Sequence, residues 1–391
     1  MGTGTIHDLP DKANVVIVGG GIIGTSIAFH LAEAGVTDVV LLESGTLGSG
    51  STCKAAGGIR SAFSTPENIA MGLRGLEVFS RFDTDFHQPI EFRRWGYLFL
   101  LQDQKNIDIF AESIAIQNAN GVPSRMVSPE EAQRISPLIT TDGLLGACWS
   151  AQDALSSPEG AVAGYAAAAR RLGARLITGC PVIGIESTGG TITGVRTASG
   201  MIETGTVVCA AGAWSKQIGD MVGVDLPVTP VRRQIAFTGP IEGAPKQGPL
   251  TIDFPSVFYF HPEGEGVLIG WANPSEPVAF NEEFEFEEWF GGFADVLAVR
   301  APRLLEAPIK GGWAGLYEVT PDNNQIIGRS VDVPGLLYAC GYSGHGFQMG
   351  PATGEIIRDL YLGREPTFDI ACFDVRRFSD PLHGQSEHNI V

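Results

Sequence analysis

The stretch NVVIVGGGIIGTSIAFHLAEAGVTDVVLLE, residues 14–43, decides the fold. Asn14-Val15-Val16-Ile17-Val18 is a short apolar, β-branched run of the kind that fills a buried parallel strand. Glycine-rich Gly19 to Gly24 follow, and Thr25 to Ala34 (TSIAFHLAEA) then repeat apolar residues at helical spacing until Gly35 stops the helix. Asp38 to Leu42 read as a second buried strand closed by Glu43, which completes a βαβ unit in about 30 residues.

Gly19-Gly20-Gly21-Ile22-Ile23-Gly24 fits GxGxxG at the place where the mechanism needs it, after a strand and opening a helix. Gly19 permits the tight turn, Gly21 lets a pyrophosphate approach the backbone, and Gly24 lets helix and strand pack closely. The helix N-terminus offers free amides and partial positive charge to phosphates. A carboxylate at Glu43 can accept hydrogen bonds from ribose hydroxyls and would repel a 2′-phosphate, so NADP is disfavoured. A glycine turn that binds nothing is the bland alternative, against which strand, turn, helix, strand and acid all agree.

Outward from this unit, residues 44–60 (SGTLGSGSTCKAAGGIR) read as a loop with a helix beginning inside it. Helices are expected over 66–82 and 103–120, with a strand over Phe92–Leu101 between them. Another helix starts at Ser128-Pro129, with Pro at its first position. Pro158 to Leu172 is a strong helix ended by Gly173, after which short strands run to Thr206–Ala210 and the Ala211-Gly212-Ala213-Trp214 turn. Between Val228 and Pro321 the texture changes to strand-like segments such as RRQIAFTG and GVLIGWAN, which suggests an antiparallel sheet. The α/β style returns at Leu336–Cys340, followed by a Gly-rich loop and a helix over Pro351–Leu360.

The expected fold class is therefore α/β with an α+β second domain. A discontinuous Rossmann-like domain (13–90, 150–225 and 325–380) is interleaved with an antiparallel-sheet substrate domain (91–149 and 226–324), and residues 1–12 and 381–391 are flexible termini. The length, 391 residues, suits two to three domain-sized units, and the 44% apolar and 18% charged composition is globular. A net charge of −18 argues against nucleic acid and against anionic membranes. Six scattered cysteines, without CxxC pairs or His clusters, give neither a disulfide framework nor a metal site. No run is long enough for a membrane span, and no secretion signal is visible, which favours the cytoplasm.

The βαβ unit alone does not separate NAD from FAD. The second Gly-rich loop, Gly341 to Gly350 (GYSGHGFQMG), does: a second helix N-terminus aimed at the same cofactor suits a flavin, whose N1–C2 oxygen locus becomes negative on reduction.

At this point the sequence resembles the D-amino-acid oxidase and glycine/sarcosine oxidase superfamily of flavoproteins, closest in flavour to sarcosine oxidase beta-type subunits. The resemblance rests on VVIVGGGIIGTSIAFHLAEAG, GSGSTCKAAGGIR, VVCAAGAWS, GLYEVTPDNNQIIG, YSGHGFQMGPATGEIIRDL and the closing DIACFDVRRF, and spans residues 13 to 378. It implies an FAD-dependent oxidoreductase that removes a hydride from the carbon next to nitrogen of an amino acid or a secondary or N-methyl amine. The hydride goes to flavin N5, and the resulting imine hydrolyses. The alternatives are a dehydrogenase subunit passing electrons to a partner, or a non-catalytic flavin-binding assembly factor.

The resemblance also assigns positions. Gly19, Gly21, Ile22, Ile23 and Gly24 hold the dinucleotide; Glu43 and Ser44 the adenosine ribose; Ser51 and Thr52 the pyrophosphate. Lys54, Ala55, Ala56, Gly57 and Gly58 lie along the flavin. Val182 meets the adenine through its backbone, Ala211 and Gly212 lie near the pyrophosphate, Gly344, His345, Gly346, Phe347 and Gln348 cover the flavin's N1–C2 edge, and Trp214, Gly315 and Gly341 are further cofactor-binding positions. Some members attach FAD through a Cys before the GLY-like motif or a His in the Ser-Thr-x-His loop. Here Ala314-Gly315-Leu316-Tyr317 has no Cys just before its Tyr, Lys54 stands in the place of that His, and Ser157 stands where a second, covalent flavin would want His, so the FAD is expected to be non-covalent. Leu268 occupies the strand position where many oxidases carry a Lys that stabilises reduced oxygen, which favours a dehydrogenase unless Lys54 substitutes.

The candidate catalytic groups are His345 and Lys54. A carboxylate substrate wants the fork of an arginine, for which Arg60, Arg232 and Arg233 are candidates, and Tyr259, Trp271 and Tyr317 are candidate pocket aromatics. The expected partners are a small amino-acid or amine substrate and, as oxidant, oxygen or an electron-acceptor protein. Oligomerisation is left open.

Overall fold

The computed structural model describes residues 8–379 and 386–388. Its six-stranded sheet runs in the order Ile326–Arg329, Leu336–Cys340, Val207–Cys209, Val15–Val18, Val39–Leu42, Arg175–Ile177. Neighbours are parallel except for the outer pair Ile326–Arg329 and Leu336–Cys340.

Both faces of this sheet are covered, which explains its uninterrupted apolar strands. Val15 and Ile17 face the helices Ile22–Glu33, Pro158–Arg171 and Gly346–Tyr361. Val16 and Val18 face the three-stranded sheet Val182–Thr188, Thr191–Thr197 and Gly200–Glu203. Two helix starts carry the signals read from sequence: Ser128 Oγ accepts from the Glu131 amide and Ser157 Oγ from the Gly160 amide, each followed by proline at the first position.

The second sheet is eight-stranded, from Ile309–Val319 through Thr229–Thr238, Gly266–Trp271, Phe258–Glu263, Leu250–Asp253, Tyr97–Leu101 and Gly146–Ser150 to Arg125–Val127. It is antiparallel except where Leu250–Asp253 runs parallel to Tyr97–Leu101. One face packs on the helices Phe286–Gly291 and Ala294–Arg300 through Phe258, Ile269 and Trp289. The opposite face presents Tyr97, Ile235, Ile252, Tyr259 and Leu268.

Local expectations differ from the structure in four places. The loop over 44–60 contains only the 3-10 turn Thr52–Lys54 and the short strand Gly58–Ile59, because Gly48 and Gly57 take positive φ and interrupt any longer helix. The strand expected from Phe92 begins at Tyr97, because Gly96 turns the chain with φ of 79°. The last helix starts at Gly346, so that Gly346–Gly350 form its first turn and Pro351 lies inside it. Finally, residues 1–7, 380–385 and 389–391 lie outside the described residues, but the described parts of the expected flexible termini are tied down: the Glu203 amide donates to Asp11 O, and Glu387 is 1% exposed.

Candidate cofactor and substrate site

One cavity of about 550 Å³ lies between the two sheets. Its first end is built by the βαβ unit. Gly19 has φ of 113°, and a Cβ there would sit 2.1 Å from Ala210 O; at Gly24 a Cβ would sit 1.9 Å from Gly19 O. Both glycines are thus demanded by packing, and Gly24 itself stays off the cavity wall. At Gly21 a Cβ meets only Thr52 Oγ1, at 3.0 Å, so a side chain there would occupy the cavity.

Glu43 fastens this end. Its Oε2 accepts from the Gly20 amide at 2.7 Å, and its Oε1 accepts from the Gly45 amide at 2.7 Å and the Ser44 hydroxyl at 3.1 Å. A carboxylate has about four acceptor sites, so capacity remains for a ribose. Thr52 Oγ1 accepts from the Ile22 amide at 3.1 Å, and Ser51 Oγ donates to Leu316 O at 2.5 Å, which ties the loop to the second sheet. Val182, Ala211, Gly212 and Trp214 complete this part of the wall. The glycine cradle, the helix N-terminus and the acid together fit a dinucleotide.

Towards the other end the wall carries Lys54, Ala55, Ala56, Gly57 and Gly58 on one side and Gly315, Gly344, His345, Gly346, Phe347 and Gln348 on the other. Lys54 forms an ion pair with Glu282, also on the wall, so its charge is matched. His345 Nε2 meets Gln325 Oε1 at 2.9 Å, and its Nδ1 is buried with no partner. Burial, reinforced by the nearby Arg60 charge, lowers the His345 pKa to about 3, so the ring is neutral.

The far end holds Arg60, Arg233, Tyr97, Tyr259 and Tyr317. Arg60 donates to Ala62 O at 3.0 Å and lies over the Phe63 ring at 3.9 Å. Arg233 donates to Arg232 O at 3.0 Å and lies over the Tyr317 ring at 5.2 Å, while its Nε–H is buried without an acceptor. Burial opposes the charge on both guanidiniums, and neither forms an ion pair among the described residues. Burial raises all three tyrosine pKa values, which keeps the phenols protonated as donors. Glycines make room for two of the rings: a Cβ on Gly58 would lie 1.6 Å from Tyr97 Oη, and one on Gly344 would lie 2.3 Å from the Tyr317 ring.

Three further expectations are corrected. Arg232 points away from the cavity and pairs with Glu276 at 2.6 Å and Glu285 at 2.7 Å, because successive strand residues face opposite sides. Trp271 is off the cavity wall; its indole N–H donates to Ser256 O at 3.0 Å, and its ring packs against Phe293. Gly341 is also off the wall, and its amide donates to Glu318 Oε2 at 2.8 Å. Tyr97 and Glu318 were missed by sequence reasoning. The usable signals were the strand phase for Tyr97 and, for Glu318, its place directly after Gly315-Leu316-Tyr317. Burial raises the Glu318 pKa to about 7 against the opposing Gly341 and Tyr342 amides.

Residues 14–360 match the DAO family, FAD dependent oxidoreductase. The chain belongs to this family. It is 29% identical to 4-methylaminobutanoate oxidase (formaldehyde-forming) of Paenarthrobacter nicotinovorans, over 97% of this chain and 47% of that protein. It is also 29% identical to the mitochondrial sarcosine dehydrogenase of Homo sapiens, over 98% of this chain and 43% of that protein. The chain therefore spans under half the length of these curated relatives. Among solved structures, L-proline dehydrogenase from P. horikoshii superposes with a TM-score of 0.89 at 33% identity, covering 95% of this chain and 99% of that one. This DAO-family chain is thus an FAD-dependent oxidoreductase. Among its described residues no helix is long and apolar enough to cross a membrane.

Proposed function

We propose that this flavoprotein oxidises the carbon next to nitrogen in an amine that also carries a carboxylate, an amino acid or an N-methyl amino acid. The observation that carries this reading is the pair Arg60 and Arg233, two enclosed guanidiniums in the cavity wall without ion-pair partners among the described residues. A carboxylate is the ligand such a fork is shaped for. The proteins with which the chain aligns act, by their names, on sarcosine, 4-methylaminobutanoate and L-proline, all of which combine amine and acid.

The proposed division of labour follows the two interleaved units, 13–90 with 150–225 and 325–380 for the cofactor, and 91–149 with 226–324 for the substrate. When bound, FAD supplies the two-electron acceptor that takes the hydride. Gly19–Ile23, Glu43, Ser44, Thr52, Val182 and Gly212 would hold it, and Lys54–Gly58 and Gly344–Gln348 would flank its flavin end. Arg233 and Arg60 anchor the substrate carboxylate, and the phenols of Tyr259 and Tyr317 shape the pocket and exclude water. Neutral His345 does not compete with the substrate for positive charge. The neutral amine loses a hydride, two electrons and one proton, to give an iminium ion, which water hydrolyses to a carbonyl and an amine, separate products from an open-chain substrate and one opened chain from a cyclic one. No cysteine lines the cavity among the described residues, which supports non-covalent FAD. Among the described residues the Lys54–Glu282 pair leaves no unmatched lysine on the wall, which favours electron transfer to a partner over rapid reaction with oxygen.

The test is an anaerobic titration of the yellow holoenzyme with sarcosine, dimethylglycine, proline and 4-methylaminobutanoate, each beside its decarboxylated counterpart. Flavin bleaching by one or more acids, and not by the matching bare amines, is expected. Equal bleaching by the bare amines, or none by any acid, overturns the reading.

A further inference from the structure

A chain of buried polar side chains runs from the cavity wall to a residue near the end of the sequence. His345 Nε2 meets Gln325 Oε1 at 2.9 Å; Gln325 Nε2 donates to Asn68 Oδ1 at 2.9 Å; Asn68 Nδ2 donates to Glu387 Oε2 at 3.0 Å. All four residues are essentially enclosed, with Asn68 and Gln325 0% exposed, Glu387 1% and His345 2%. Glu387 is held from several sides. Its carboxylate also accepts from the Ser64 amide at 3.0 Å and the Ser64 hydroxyl at 2.7 Å, and its own amide donates to Asp322 O at 3.1 Å. Arg377 in turn grips Asp322 at 2.7 and 3.0 Å.

The order of donors along this chain is fixed at its Asn68 end, where Asn68 Nδ2 donates both to Glu387 Oε2 and to Asn324 Oδ1, at 2.8 Å; Asn324 is an amide that can turn, whereas the carboxylate cannot. An ionised carboxylate can only accept, so the Asn68 amide must turn its NH2 towards Glu387. Asn68 Oδ1 is then left to accept from Gln325, and Gln325 Oε1 is left to accept from His345. With every link buried, reversing one amide would set two acceptors or two donors face to face. We propose that Glu387 is a positioning residue of the site, whose carboxylate sets the direction of this chain and thereby holds His345 as the Nε2–H tautomer with Nδ1 as the bare acceptor. The Glu387 charge also opposes the effect of burial on the Arg60 guanidinium. The catalytic consequence rests on the proposed oxidation of a carboxylate-bearing amine; the tautomer does not.

The experiment is nitrogen NMR of the holoenzyme labelled with 15N-histidine, with the His345 signals assigned by their loss in His345→Gln. The wild-type spectrum is expected to show His345 with protonated Nε2 and unprotonated Nδ1. Glu387→Gln can present an NH2 to Asn68 and, with the Asn324 amide turning as well, reverse the chain, and a second population with protonated Nδ1 is expected. Gln325→Met cuts the chain without touching Glu387 and must release the tautomer in the same way, which covers the case of a Glu387→Gln protein that does not fold. Glu387→Asp, still acceptor-only, restores the wild-type signal. Substrate-dependent kcat/KM is expected to fall about tenfold in Glu387→Gln and to recover in Glu387→Asp, as for other outer partners that orient a histidine. A wild-type His345 with protonated Nδ1, or a tautomer unchanged in both Glu387→Gln and Gln325→Met, overturns the proposal. If no amine reduces the flavin, the functional reading fails while the tautomer result stands.

Discussion

Arg232 and Arg233 are adjacent in one strand and end in opposite environments: Arg232 is paired with Glu276 and Glu285, and Arg233 stands in the cavity wall over Tyr317. Substitution should separate the two roles. Arg233→Met should weaken binding of an acidic substrate about 10- to 100-fold, the loss of a charged hydrogen bond, with little change in melting temperature. Arg232→Met leaves Glu276, 3% exposed, without its cation and should cost on the order of 3 kcal/mol of stability while sparing substrate affinity. Anaerobic substrate titration and denaturant unfolding measure the two effects.

Glu43 joins the glycine turn to the loop after the second strand through the Gly20 and Gly45 amides. Glu43→Ala removes both anchors and the acceptor expected to face the ribose. The dissociation constant for FAD should rise about tenfold or more, read as FAD fluorescence appearing on dilution. An unchanged FAD affinity would show that Glu43 serves the fold alone.

Glu318 introduces a pH dependence whose sign can be worked out. Its folded pKa is about 7, above the ordinary carboxylate value of 4.5, so between those limits the folded chain binds more protons than the unfolded one. Stability from this residue is therefore fully present below about pH 4.5 and is lost as the pH rises through about 7. Glu318→Gln should be closer to wild type at pH 5 and more thermostable than wild type at pH 8. Melting curves at the two pH values decide it, and an equal difference at both would rule the mechanism out.

Lys54 is matched by Glu282. Reduced enzyme should therefore reoxidise slowly in air and faster with a soluble dye acceptor. Glu282→Gln frees the cation and should speed reoxidation by oxygen, whereas Lys54→Met in the wild-type background should change it little. Stopped-flow reoxidation measures all three.

Sequence was most readable where a residue's role is backbone geometry. Gly19, Gly21 and Gly24 could be assigned tasks because spacing alone constrains a turn between strand and helix, and a Cβ at Gly19 or Gly24 would clash with backbone. Side-chain direction was harder. Arg232 and Arg233 are chemically equal in a string of letters, and only the sheet's phase tells them apart. Trp271 fails for a related reason: its ring is drawn to Phe293, on the helix-covered face of the sheet. Tyr97 and Glu387 were invisible because what matters about them is long-range contact. Tyr97 is set by a parallel pairing with Leu250, and Glu387 by hydrogen bonds to Ser64 and Asn68.

The order of the six-stranded sheet has a consequence for how the protein is made. Val15–Val18 is made before its sheet neighbours and lies in mid-sheet, yet its neighbour on one side is Val207–Cys209, which in turn waits for Leu336–Cys340. At about 5–20 residues per second, the opening strand passes on the order of ten seconds or more with an unpaired apolar edge. The cavity wall is complete only once the second glycine loop, Gly344–Gln348, has been made.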